Sequence, residues 1–521
     1  MTIHAGSRLV VEQSGGNRAR AFVAPAVVFI AALALRSLQA GEPLWHDEAY
    51  SFHLAQLSWQ DLIAQLREES TPPLYYLLLK LWIALLGDGE RAMRSLSALL
   101  SAAAAALACV FGSRRFSHRV GWCFGLLLAV NPNAAYYGQE VRMYALWELL
   151  TLLGLWGAVS FAKTHARGGL AMAALAHLLA CYTHNVALFG VASTALVTLF
   201  FLEGHRARLT WSLVHAGVGL SFLPWFLIVM TQLAKQSTVL AWFTPHWEAQ
   251  GSLLHVADSI AALTTGPFPN WMGISALWNE RMPSVAVALL LTLSGAIALR
   301  RECVARIFGL SSLCFVLLCV AYSAAVQPIF IPGRTDHALL VPLVFFLSVH
   351  VDREPWRRVR TAVVTAWGIL CLALVLLQPA AEHKSTAAPV WAALAQQVRP
   401  GDVVVAAGLG AGEASYAHRR SRTPAPFEIF PASAGKHVGY TSFRALRQGR
   451  SALQEEARSS ASRWAAALEG TSGRLWLVWS GDREFQPLEE AISQRFRLEK
   501  VSARGVLPLL LDPVELRSYR R

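Results

Sequence analysis

The chain has 521 residues, of which 55% are apolar and only 15% charged, and it carries a net charge of +13. That balance excludes an ordinary soluble domain and places the chain among polytopic helical membrane proteins. The length suffices for about ten spans plus a separate folded domain. Lys and Arg gather in short clusters between apolar runs, which is a topology signal and not a polyanion-binding face, so no nucleic-acid partner is expected. The seven cysteines, Cys109, Cys123, Cys181, Cys303, Cys314, Cys319 and Cys371, lie in or beside apolar segments without ligand-like spacing and read as small hydrophobes.

In chain order, residues 1–20 form a polar tail with Arg8, Arg18 and Arg20, and the apolar run from Ala21 reads as a retained signal anchor. Further runs long enough to cross a bilayer begin near Ser95, Val120, Tyr144, Gly169, Asn185, Thr210, Val285, Phe308, His337 and Thr361, about eleven spans in all. Alternate loops hold Arg114, Arg115 and Arg119; Lys163 and Arg167; Arg206 and Arg208; Arg300, Arg301 and Arg306; and Arg353, Arg357, Arg358 and Arg360. The positive-inside rule makes these loops and the amino terminus cytoplasmic. The run Pro72–Leu86 is short for a span and would invert every later loop, so it reads as a juxtamembrane helix with Pro72 and Pro73 in its first turn.

Residues 39–94 then form an outward platform of amphipathic helices. Residues 231–283 form a second outward loop, with Trp242, Phe243, Trp247, Trp271 and Trp278 suited to the interface. Residues 21–378 make up the membrane domain, and 379–521 have soluble composition. Strands are expected at Asp402–Ala407, Leu475–Trp479 and Val506–Leu511 and a helix at Ala452–Leu468, which together give a small α/β domain outside the cytoplasm. Gly408-Leu409-Gly410-Ala411-Gly412 lacks the full dinucleotide-loop spacing.

The stretch Glu42-Pro43-Leu44-Trp45-His46-Asp47-Glu48-Ala49-Tyr50 sets two adjacent acids just past the first span, where ionisable groups need a partner or a function. Asp47 is read as the centre of an outward-facing active site. The bland reading is a helix-capping or arginine-paired acid, and it weighs more heavily on Glu48. His46, Asp47, Glu48 and His53 mix imidazole and carboxylate, but their spacing does not force them onto one face. No metal ligand is therefore assigned and no cofactor is called for, a divalent ion being the minor alternative.

Trp45-His46-Asp47-Glu48-Ala49-Tyr50-Ser51, Thr71-Pro72-Pro73-Leu74-Tyr75-Tyr76, Arg91-Ala92-Met93-Arg94-Ser95-Leu96-Ser97, Tyr136-Tyr137-Gly138-Gln139-Glu140-Val141-Arg142-Met143-Tyr144 and Tyr182-Thr183-His184 follow one another over the first 200 residues. In that order they resemble the bacterial family-39 glycosyltransferases. These are GT-C membrane enzymes similar to protein O-mannosyltransferases and the lipid A aminoarabinose transferase. Thr71 departs from the His or Lys that many members place before the proline pair. Pro332-Gly333-Arg334-Thr335-Asp336-His337 stands where relatives often show an Arg-Tyr pair.

The resemblance implies an inverting transfer of a sugar from a polyprenyl phosphate, such as undecaprenyl phosphate, to a lipid, glycan or protein acceptor. The reaction would run at the outer face of the bacterial cytoplasmic membrane, in the cell envelope. Asp47 carries over as general base. Glu48, adjacent in sequence, points elsewhere on a regular element and is read as a second site acid that orients the loop or binds acceptor. Arg142, Arg94, Arg91 and Arg334, all on the outward side, are the candidates for the donor phosphate, with pairing to Glu140 or Glu90 or to lipid headgroups as the alternative. Tyr75, Tyr76, Tyr137 and Gln139 either line the sugar and prenyl path or are ordinary interfacial side chains. His184 either meets phosphate or acceptor or is a satisfied buried histidine. A protein O-mannosyltransferase proper differs only in acceptor. A transporter or flippase is the alternative of another class, against which stand the lack of a clear internal repeat and the gathering of the candidates at one face.

Overall fold

The computed structural model describes residues 15–69, 71–239, 244–266, 274–381, 387–408, 410–422, 424–432, 449–480, 485–506 and 513–521. In chain order the membrane domain comprises α1 (Gly15–Arg36), α2 (His46–Gln56), α3 (Trp59–Glu69), α4 (Leu74–Leu86), α5 (Glu90–Arg115), α6 (His118–Val130), α7 (Pro132–Gly138), α8 (Tyr144–Thr164), α9 (Arg167–Cys181) and α10 (Ala187–Phe201). It continues through α11 (His205–Val239), α12 (Thr244–Thr265), α13 (Ile274–Ala298), α14 (Cys303–Ala325), α15 (Leu340–Ser348) and α16 (Arg357–Ala381). A helix stands over every apolar run singled out above. Among the described residues, five helices are by themselves long and apolar enough to cross a bilayer, in α5, α8, α11, α14 and α16. Their outer faces leave Leu213, Leu220, Leu227, Leu313 and Leu317 exposed, as a bilayer solvent requires and water does not.

Helices α5 and α6 form an antiparallel hairpin whose turn is capped by Ser117, which accepts from the Val120 amide at 3.2 Å. A Cβ on Gly112 would lie 2.8 Å from the Gly121 Cα, and one on Gly121 2.6 Å from the Cys109 carbonyl. Only glycine lets these two backbones touch, the small-residue packing expected between helices in lipid. Asn131 caps α7 by accepting from the Ala134 amide at 3.0 Å, with Pro132 in the first turn. Arg36, fully buried at the end of α1, donates to Leu128 O at 3.0 Å and also to Ala129 O, and so ties α1 to the last carbonyls of α6.

The platform of residues 39–94 is helical, formed by α2, α3 and α4. The second long loop, 231–283, is largely helical as well, because α11 continues to Val239 and α12 starts at Thr244. Trp247 stacks on His255 there, with centroids 4.7 Å apart. Trp242, Phe243, Trp271 and the side chain of Trp278 lie outside the described residues. Helix α1 begins at Gly15, inside the expected polar tail.

The C-terminal part adds α17 (Ala388–Gln397), β1 (Val403–Ala407), α18 (Ala411–Ser421), β2 (Phe427–Phe430), α19 (Arg450–Ala467), β3 (Leu475–Trp479), α20 (Gln486–Ser493), β4 (Arg497–Val506) and β5 (Pro513–Arg520). The sheet order is β2-β1-β3-β5-β4, with β1 parallel to β2 and β3 and an antiparallel β5-β4 edge. Strands β1 and β3 are buried along their whole length, which is why they read as unbroken apolar runs. Of the strand expected at Val506–Leu511 only Val506, the last residue of β4, is described; 507–512 lie outside the described residues, as does Leu409, and β5 starts at Pro513.

This domain is seated on the platform through α18. Tyr416 meets Phe52 edge to face at 4.8 Å, the Tyr416 hydroxyl donates to Asp88 O at 3.3 Å, and His53 Nε2 donates to Gly412 O at 3.0 Å. Arg419 pairs with Asp88 at 3.0 Å and Arg420 with Glu90 at 3.5 Å. These exposed pairs add little to stability, so the buried Phe52–Tyr416 contact is the main apolar link.

Candidate active site

Asp47 and Glu48 open α2, where carboxylates suit the partial positive charge of a helix start. Glu48 Oε2 reaches back to the Trp45 amide at 3.4 Å. Eight of the eleven α2 residues are buried, both acids among them. Neighbouring helical positions point about 100° apart, and the two carboxylates meet different partners.

Glu48 faces α5. Arg94 Nε donates to Oε1 at 2.8 Å and Nη2 to Oε2 at 2.5 Å, and both side chains are 0% exposed. The remaining Arg94 N–H groups are directed at the carbonyls of Gln39, Ala40, Glu42 and Pro43, and Glu48 Oε1 also accepts from the Val141 amide at 3.1 Å. One bidentate ion pair therefore fastens α5, the 39–43 segment and the chain entering α8 to the first turn of α2. The arginine expected at a phosphate is committed to the acid beside Asp47.

Asp47, 8% exposed, faces the other way. Arg334 Nη2 donates to its Oδ2 at 2.6 Å, and Arg142 Nε lies 3.8 Å from the same oxygen. Burial pushes the Asp47 carboxyl up, but Arg142, Arg334 and His46 together overcome it and hold the group down at about 2. Burial likewise opposes the charge on Arg334, and the neighbouring Tyr144 and Asp47 more than restore it, so its pKa lies above the usual guanidinium value. The resting arrangement is a carboxylate clamped between two cations.

Each cation is fixed by its own surroundings. Arg142 donates through Nη1 to the Tyr76 hydroxyl at 3.1 Å and lies over the Tyr50 ring at 5.7 Å, while its carbonyl accepts from Ser97 Oγ at 3.3 Å. Arg334 donates through Nε to the Tyr144 hydroxyl at 2.7 Å. Its turn depends on Gly333, whose φ of +73° is costly for other residues and whose added Cβ would lie 2.6 Å from Ala262 Cβ. Gly333 O accepts from Asn133 Nδ2 at 3.0 Å, and Thr335 Oγ1 donates to Ile329 O at 2.7 Å.

The other expected residues divide. Tyr76 belongs to the cluster through Arg142. Tyr75 is buried behind it, its hydroxyl 3.0 Å from Ser97 Oγ. Tyr137 packs on Tyr144 at 4.3 Å. Gln139 donates to Leu35 O at 3.2 Å, away from Asp47. His184 stacks on Trp147 at 4.4 Å and accepts from the Val186 amide at 3.2 Å, and burial, reinforced by Arg334 and Arg142, pushes its imidazole down to about 3, so it is neutral. Arg91 is exposed on the first turn of α5 and lies against Gly41. The mixed set His46, Asp47, Glu48 and His53 does not converge: Asp47 turns to Arg334, Glu48 to Arg94 and His53 to Gly412.

A deeper polar layer carries no motif in the sequence. His337 Nδ1 donates to Asn133 Oδ1 at 2.6 Å and its Nε2 lies 3.3 Å from Glu148 Oε2, with all three side chains fully buried. The signal available was Glu148 itself, an acid inside an apolar run. Beside them Asp336 accepts from Ser259, yet burial outweighs that bond and pushes its carboxyl up to about 7.

No protein-family model and no curated protein matches the chain. Solved structures do. ArnT from Cupriavidus metallidurans bound to undecaprenyl phosphate is 14% identical, with 95% of this chain and 97% of that one covered at a TM-score of 0.59. The apo form of the same protein gives 14% identity, 97% and 98% coverage and a TM-score of 0.58. The oligosaccharyltransferase of Archaeoglobus fulgidus, in complex with zinc and sulfate, gives 13% identity, 87% and 68% coverage and a TM-score of 0.51. The likeness spans the membrane and C-terminal parts together and shows the fold, a GT-C membrane fold.

Proposed function

We propose that this GT-C chain is an integral membrane glycosyltransferase that moves a sugar from a polyprenyl phosphate to an acceptor hydroxyl, with Asp47 as general base. The observation that carries the reading is the convergence of Asp47, Arg142 and Arg334 on one carboxylate oxygen. The similar ArnT structure that holds undecaprenyl phosphate supports a lipid-phosphate donor. In the step, the acceptor oxygen bonds to the anomeric carbon as the bond from that carbon to the phosphate oxygen breaks. The acceptor proton passes to Asp47, and the polyprenyl phosphate leaves with the electron pair. One displacement inverts the anomeric centre.

Arg142 and Arg334 are placed to stabilise the leaving phosphate, since planar guanidinium groups match its oxygens. A carboxyl held near 2 is a poor base, but the phosphate and Asp47 compete for the same two guanidinium groups. Donor binding draws the cations toward phosphate and raises the proton affinity of Asp47 toward its working range. Glu48 and Arg94 position the machinery and do not touch the reacting atoms.

Transfer from defined polyprenyl-phosphate sugars by the purified protein tests this, with donor binding measured alongside. Asp47→Asn is expected to bind donor and to lose about 10²–10⁴-fold in turnover. Equal transfer by the variant and the parent would overturn the assignment.

A further inference from the structure

At the end of the bundle away from Asp47, α6 and α16 enclose a slot of about 900 Å³. Helix α5 carries Arg94 at one end and Arg115 at the other, roughly 30 Å apart, and α6 starts beside the Arg115 end. The mouth of the slot therefore lies most of the membrane thickness away from the active site. Its floor is apolar, formed by Trp122, Leu127, Val130, Gly368 and Leu372. From Arg119 to Val130 along α6 is about 16 Å, close to half the hydrocarbon thickness of a bilayer. Its side is open, since Leu126 is 38% and Ile369 62% exposed.

Three arginines ring the mouth, Arg119 at the start of α6 and Arg357 and Arg358 at the start of α16, with the His118 ring beside them. Counter-charge is thin. Asp352 lies 3.9 Å from Arg119 and Glu354 lies 3.4 Å from Arg357, both exposed contacts, and Arg358 has no acidic partner among the described residues.

We infer that this slot binds one anionic glycerophospholipid from the leaflet at the basic end of the bundle. Its phosphate sits among Arg119, Arg357 and Arg358, and one acyl chain lies along α6 and α16. A zwitterionic lipid would match the apolar floor but not the uncompensated charge at the mouth. Basic pockets between spanning helices bind acidic headgroups on this principle.

The test is native mass spectrometry on the delipidated full-length protein, titrated separately with phosphatidylglycerol, phosphatidylcholine of the same chains and undecaprenyl phosphate. One phosphatidylglycerol is expected to bind at least about tenfold more tightly than phosphatidylcholine. Arg119→Gln/Arg357→Gln/Arg358→Gln should weaken it about a hundredfold, near fivefold per cation. Thr365→Trp, which keeps the cations and obstructs the path of the acyl chain along α16, should weaken it as well, and because the two variants fail for unrelated reasons, a fold defect in one leaves the other decisive. Equal affinity for both phospholipids, unchanged in whichever variant folds, would mean ordinary surrounding lipid and overturn the inference. Stoichiometric displacement by undecaprenyl phosphate would do the same, since the slot would then take the donor tail.

Discussion

Glu48→Ala separates a fastening acid from a reacting one. In the native chain Glu48 accepts two bonds from Arg94, at 2.8 and 2.5 Å, and one from the Val141 amide, with no exposure on either ionic side chain. Truncation strands a buried guanidinium against four carbonyls, and breaking one side of such a pair costs about 3–5 kcal/mol. Asp47→Ala removes an acid of similar burial and leaves two cations facing each other, but these keep Tyr144 and Tyr76 as partners and are less buried than Arg94, so its cost should be about 2 kcal/mol, below that of Glu48→Ala. Thermal unfolding of the purified protein in one detergent reads both. Glu48→Ala should melt earlier than Asp47→Ala, and the joint replacement Glu48→Leu/Arg94→Met should recover only part of the loss, because both charges go together but the carbonyls of 39–43 and the Val141 amide lose their partners. If Glu48→Ala and Asp47→Ala unfold together while Glu48→Ala alone abolishes transfer, the assignment of Glu48 as a fastening residue is wrong.

Arg334→Lys should lower turnover roughly 10–100-fold with normal folding, because one ammonium cannot bridge Tyr144 and Asp47 as the fork does; steady-state transfer kinetics check this. Gly333→Ala should cost about 2 kcal/mol or more, from the left-handed backbone and the contact with Ala262, and should displace Arg334. Measuring melting and turnover on that variant shows whether both fall. Asp336 binds its proton more tightly folded than unfolded, since burial raises it to about 7. Its contribution is therefore full below about 4 and is lost as pH rises through about 7. Asp336→Asn should flatten the melting profile across that window and be the more stable protein at pH 8, and an unchanged profile would count against a neutral acid at this position.

The apolar helices were legible because a bilayer imposes length and apolarity on each one separately, although only five of the eleven expected spans reach full length among the described residues. The convergence of Asp47, Arg142 and Arg334 was legible only through the order of motifs, since no local period connects positions so far apart. Arg94 and Glu48 looked like members of the same site for that reason. Their private pairing depends on how α5 crosses the start of α2, which no one-dimensional pattern encodes. The layer formed by His337, Asn133 and Glu148 was silent because each residue sits alone in apolar surroundings, and only their meeting gives them meaning. In the C-terminal domain the central strands were plain, buried on both faces, whereas the edge hairpin of β4 and β5 mixes charge and apolar residues without a run to mark it.

Helix α2 is gripped at both ends, by Arg94 at its first turn and by α18 near its last. From His53 back to Asp47 is about 9 Å of uninterrupted helix. Such a piece acts as a short rigid rod anchored in two bodies. Because the Glu48–Arg94 pair pins the near end of that rod to the membrane domain, a push on α18 meets a buried ion pair before it can move Asp47, and the C-terminal domain is held at a set distance from the carboxylate.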